Sequence, residues 1–74
     1  MAKKNTESGV YRVTEVIGTS KVSWEDAAKN AVETAAKTLR DLRVAEVVAF
    51  DMTMKDGKID TYRTKLKVSF KYGG

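Results

Sequence analysis

The chain has no cysteine and no histidine. The first absence excludes disulfides and thiolate metal sites, and the second removes the commonest general base and the commonest transition-metal ligand. Proline is also absent, and no repeat or internal linker divides the chain, so its 74 residues read as one domain. No run of about 18 apolar residues occurs, so no segment reads as a membrane-spanning helix. Residues 1–9 are polar and carry no apolar stretch. They read as a disordered arm rather than a secretory signal, with residues 10–74 as the folded domain and a cytoplasmic location expected. At this length a single core is only marginally sufficient. With disulfides excluded, oligomerisation is the remaining means of stabilising it.

What is present is mostly charge and β-branched residues. Fourteen basic residues against ten acidic give a net charge of +4, which raises a nucleic-acid partner as one alternative. Against it, Lys3 and Lys4 fall in the polar arm. Others alternate along residues 63–71, the ordinary pattern of a half-solvated strand.

Residues 10–17 form a first expected strand, rich in β-branched side chains, and residues 18–22 an expected loop. Ser23-Trp24-Glu25-Asp26 fits a capping box, in which the Asp26 carboxylate bonds back to the Ser23 amide. Apolar residues then recur at Trp24, Ala27, Ala28, Ala31, Val32, Ala35, Ala36, Leu39 and Leu42, the helical period. That stripe predicts a helix of about 18 residues, roughly 27 Å long. Its alanines permit close approach to a sheet. Residues 44–72 read as a long β-hairpin turning at Asp56-Gly57, the dipeptide suited to positive φ. Each arm would span roughly 40 Å, more than one helix can cover, so the remainder is expected to meet other copies of the chain. The order is β-α-β-β, an α+β fold with a three-stranded antiparallel sheet wrapping one helix.

A two-residue turn at Asp56-Gly57 sets a register. Val47 then faces Leu66, Ala45 faces Val68 and Ala49 faces Thr64, a small apolar set matching the alanine stripe. The opposite face pairs Val48 with Lys65, Glu46 with Lys67, Phe50 with Arg63 and Met52 with Thr61. A one-residue slip would exchange the faces. That second face, with Val44, Glu46, Phe50, Arg63 and Lys65, is the candidate ligand-binding or subunit-packing surface, along with Val48, Met52 and Met54. Trp24, at the first helical turn, is expected to anchor the helix by packing. Glu15, Glu46, Asp51 and Asp60 are the acids available to a hard cation. No EF-hand loop is present, so such a site needs separated segments or a symmetry axis, and Glu46 has Lys67 as an alternative partner. Ser20 and Ser69 have no activating base except lysine, and Gly18-Thr19-Ser20 is a poor phosphate cradle. The chain is not expected to be an enzyme.

Tyr11-Arg12-Val13 leading to Ile17-Gly18-Thr19-Ser20, the alanine-rich helix, Ala45-Glu46-Val47 and the final strand from Tyr62 to Phe70 together resemble the dodecins. The resemblance implies a hollow homododecamer of such protomers. Typical dodecins bind flavins, FMN or riboflavin, between tryptophans and beside a glutamine. Here the tryptophan position is Val44, which has no π surface, and the glutamine position is Arg63, which only donates. Ser23-Trp24-Glu25, Leu42-Arg43-Val44-Ala45, Tyr62-Arg63, Lys65-Leu66 and Val68-Ser69-Phe70-Lys71 are instead similar to the calcium dodecin branch. This implies calcium as the favoured ligand, with flavin as the alternative. Glu46, Asp51 and Asp60 are then the first acids to inspect.

Overall fold

In the computed structural model, residues 9–71 are described. The expected arm, apart from Gly9, and the expected end of the last strand at Tyr72 lie outside them. The elements are β1 (Tyr11–Ser20), α1 (Trp24–Ala35), β2 (Leu42–Lys55) and β3 (Lys58–Lys71). They form an antiparallel sheet in the order β1-β3-β2, so the last strand is central and both others are edges. The β-α-β-β order is as read from the sequence, and the molecule is elongated at 60 × 22 × 15 Å.

The hairpin turn follows from local chemistry. Asp56 and Gly57 both have positive φ, 53° and 76°, so the chain reverses with the twist the strands require. The start of α1 is equally local. Ser23 Oγ accepts the Asp26 backbone N–H at 3.0 Å, one half of the expected capping box. The other half differs. Asp26 Oδ2 accepts the Ser20 hydroxyl at 2.7 Å, and the Ser23 amide donates to Ser20 Oγ at 3.4 Å. A serine at the end of β1 thus takes the role expected of Asp26.

Two boundaries move. The expected loop at residues 18–20 is strand, pairing Gly18 with Thr64, Thr19 with Arg63 and Ser20 with Tyr62. Gly18 is there because α1 lies against it. A Cβ at Gly18 would collide with the Ala27 carbonyl oxygen and sit 2.8 Å from Ala31 Cβ. The glycine read as a loop signal is a close-approach position inside a strand. The helix, in turn, ends at Ala35 rather than near Leu42. Beyond it, Lys37 N bonds to Thr34 O and Thr38 N to Ala35 O, both at 3.1 Å, the tighter spacing of a winding-down helix end. Asp41, at φ 57°, then turns the chain into β2. Leu42 follows the helical period in sequence, yet it pairs with Phe70 in the sheet.

The core is small: Ala27, Ala31 and Ala35 from α1 against Leu66 and Val68 of β3, with buried Thr64 beside them. The alanine stripe therefore meets the face expected of it. Thr64 Oγ1 donates to Trp24 O at 2.8 Å, so the one fully buried hydroxyl in this layer is satisfied. Every residue of β2 except Leu42 and Thr53 is exposed. The helix covers β1 and β3 and leaves this arm of the hairpin bare.

Candidate functional site

The register of the hairpin decides which side chains share the open face of the sheet. Near the turn, Met54 opposes Ile59 and Lys55 opposes Lys58, as a two-residue turn requires. Farther out, Val47 opposes Leu66, Glu46 opposes Lys67 and Ala45 opposes Val68, again as expected. Between these stretches the pairing is slipped by one. A bulge at Asp60 on β3 opens the slip and a bulge at Val48 on β2 closes it. Residues 49–53 consequently change partners, and β2 beyond Val48 exchanges faces. Phe50 opposes Thr64, not Arg63, and Ala49 opposes Lys65 in place of Val48. Met52 opposes Tyr62 rather than Thr61.

This corrects the placement of Phe50, Met52 and Met54. All three lie on the helix side of the sheet, where Phe50 meets Trp24 edge-on at 5.7 Å. Trp24 also meets Tyr62 at 5.1 Å, and its indole N–H donates to the Asp51 carbonyl at 2.9 Å. It anchors the start of α1 to both strands of the hairpin, as expected of it. The signal for the slip was present in the chain. Glu46 and Asp51 are both polar at an odd spacing, and Val47-Val48 interrupts the alternation, which an inserted residue reconciles.

What the slip brings into the open face is Asp51, directly opposite Arg63. The pair is bidentate, with Arg63 Nε to Asp51 Oδ1 at 2.7 Å and Nη2 to Oδ2 at 3.0 Å. One step along, Lys65 Nζ lies 3.7 Å from Glu15 Oε1. One step further, Lys67 stands between Glu15 on β1 and Glu46 on β2. Arg63 and Lys65 of the central strand are thus paired with carboxylates on the edge strands, and Lys67 has Glu15 and Glu46 as its register neighbours. The charged rows are flanked by apolar residues that remain open, Val13, Ile17, Val44 and Val48, at 43% to 59% exposure. Arg63 and Lys65 on this face each have a carboxylate partner.

The hydrogen bonds from Arg63, followed by its charge, hold the Asp51 carboxyl below the ordinary carboxylate range, with Lys65 adding to the effect. Asp51 in return raises Arg63. Because the folded-state value is depressed, the pair contributes above the unfolded-state value and is lost as pH falls through the lowered one. Melting temperatures of the parent and Asp51→Asn are expected to differ most near neutrality and to converge in acid, where the aspartate is protonated. Parallel curves at all pH values would contradict this.

The other predicted site residues are dispersed. Asp60, at the β3 bulge, is paired with Lys21 at 3.1 Å, tying the β1–α1 connection to the hairpin. Val44 is on the open face opposite Ser69. Glu46, Asp51 and Asp60 do not come together in one protomer, and among the described residues no three acidic side chains form a metal-holding group. Calcium takes about six to eight oxygen ligands, and these three acids do not supply a cluster of them within one protomer. No helix of the described residues is long and apolar enough to cross a membrane.

The β-α-β-β order, the central last strand and the glycine-seated alanine helix together define a known architecture, and the dodecin family profile matches residues 10–73. The chain belongs to the dodecin family. It is 50% identical over 62 residues to calcium dodecin of Mycobacterium tuberculosis, covering 84% of this chain and 87% of that protein. Against dodecin of Thermus thermophilus it is 36% identical over 62 residues, covering 84% and 90%. The crystal structure of the mycobacterial calcium dodecin, described as calcium-chelating with a novel calcium-binding site, matches with a TM-score of 0.77. That alignment has 53% identity and covers 85% of this chain and 90% of that one. Dodecin from Streptomyces coelicolor matches with a TM-score of 0.85 and 36% identity, covering 93% and 99%.

Proposed function

We infer that this dodecin is a non-catalytic protomer of a hollow homododecamer that binds or stores a small ligand or ion, with calcium first. The observation that carries the reading is the 50% identity to a calcium dodecin over most of both chains. Two features of the fold support it. The exposed β2 arm needs other copies to cover it, and oligomerisation is how a domain this small gains burial. With Glu46, Asp51 and Asp60 dispersed in the protomer, this reading requires a calcium site shared between copies, in which a carboxylate recurs around a symmetry axis. Glu46, which makes no ion pair among those identified, is the first of the three to test there.

Light scattering is expected to give a mass near twelve times the 8.2 kDa of the chain. Isothermal titration of chelator-treated protein with calcium chloride is expected to show saturable heat that Glu46→Gln diminishes. A monomer or dimer would overturn the shell, and an absence of heat would overturn calcium. Flavin is the second reading, from the family resemblance. It is disfavoured at Val44, which offers no stacking surface, and at Arg63, whose guanidinium is held by Asp51. A yellow preparation, or quenching of riboflavin fluorescence on mixing, would restore it. Nucleic-acid binding would require steep salt dependence, which a storage shell does not predict.

A further inference from the structure

The bulges at Asp60 and Val48 cancel each other, and the change of partners between them is confined to residues 49–53. A bulge interrupts the ladder and leaves a residue unpaired, so two in compensation are a structural cost with a local outcome. That outcome is the alignment of Asp51 with Arg63. In an unslipped hairpin Phe50 would stand opposite Arg63, and the guanidinium would face the open side of the sheet with no carboxylate across from it. Arginine presents a planar fork suited to carboxylates and phosphates. Asp51 fills that fork with both of its oxygens, in the geometry an anionic ligand would itself use.

We propose that Asp51 is the specificity-determining residue of the open face, an internal carboxylate that occupies Arg63 and thereby excludes anionic ligands while leaving the face open to cations. The proposal rests on reading this face as the ligand-facing surface of the shell. Its neighbours act in the same direction. Glu15 offsets Lys65, and Glu46 stands beside Lys67, so Asp51 is the member whose loss leaves an unmatched guanidinium. In an enclosed assembly each such charge would be repeated in every copy, and a field of one sign would be focused inside. The pair is half-exposed in one protomer, where it contributes little to stability. Its effect is on which ligands the face accepts.

The test compares the parent, Asp51→Asn and Arg63→Gln at low ionic strength, with inorganic pyrophosphate and calcium chloride as separate probes. Asp51→Asn keeps the side-chain shape and the Trp24 bond to the backbone carbonyl, and should bind pyrophosphate about tenfold more tightly than the parent. Arg63→Gln leaves Asp51 unmatched and should bind calcium severalfold more tightly, with pyrophosphate binding as weak as the parent's. Equal pyrophosphate affinity in parent and Asp51→Asn would overturn the proposal, as would unchanged calcium affinity in Arg63→Gln. The Arg63→Gln arm decides the matter if Asp51→Asn fails to fold. Light scattering on the same samples reads the assembly separately. A monomeric parent would therefore overturn the shell without being mistaken for failure of the charge pairing.

Discussion

Gly18→Ala is expected to cost about 3 kcal/mol or more of stability, a large loss for adding one methyl group. The added carbon would strike the Ala27 carbonyl oxygen, which is backbone within α1 and cannot rotate away. It would also press on Ala31, one of the few fully packed core residues. The helix would have to lift off β1, opening the contact along the stripe that Ala27, Ala31 and Ala35 bury. In a domain of this size each kcal/mol corresponds to about 4–8 °C in melting temperature, so a shift of roughly 12 °C or more is expected at fixed protein concentration. A loss below about 0.5 kcal/mol would mean that α1 rides farther from the sheet than described. The substitution acts on helix–sheet spacing and not on backbone conformation, since Gly18 is not among the positive-φ residues.

The second large effect concerns assembly. Met54 and Ile59 oppose one another near the end of the hairpin, at 58% and 47% exposure, beyond the reach of α1 in their own chain. On the proposed shell, replacing both with aspartate is expected to leave single chains or small oligomers at micromolar concentration, with far-ultraviolet circular dichroism largely retained. Burying an unpaired carboxylate at a subunit contact costs several kcal/mol per site, and a closed shell repeats that cost in every copy. Like charges placed opposite each other also weaken the hairpin slightly. Met54→Thr with Ile59→Thr is therefore the control, expected to weaken the assembly less and leave the hairpin intact. Full-size particles from the aspartate variant would place this tip in solvent and shift the contacts to another part of β2.

Several elements were legible because their causes are local. Asp56-Gly57 adopts the positive φ values that its composition favours. Ser23 caps α1 from one turn away, and the alanine stripe faces the sheet with the 3.6-residue period. The alternation of residues 62–70 placed Thr64, Leu66 and Val68 on one side, where they are buried. Even the excess length of the hairpin over its helix followed from rise per residue alone. The family likeness was readable for the same reason, from short motifs in order along the chain.

What the chain by itself determined is therefore the set of elements, the side of the helix that packs, and the presence of matched acids and bases on β-strands. Tertiary structure decided where those elements stop and who faces whom. The helix ends at Ala35 while Leu42 joins the sheet opposite Phe70, and β1 runs through Gly18, where the missing Cβ lets α1 lie close against the strand. The Asp51–Arg63 pair exists because the bulges at Val48 and Asp60 bring Phe50 to Trp24 and carry Asp51 to the other face. Trp24 and Phe50 lie far apart in sequence, and the gain from packing them is available only once the helix is on the sheet. Period-two patterning ranks the faces of each continuous stretch, but a slip between stretches is settled by such non-local contacts.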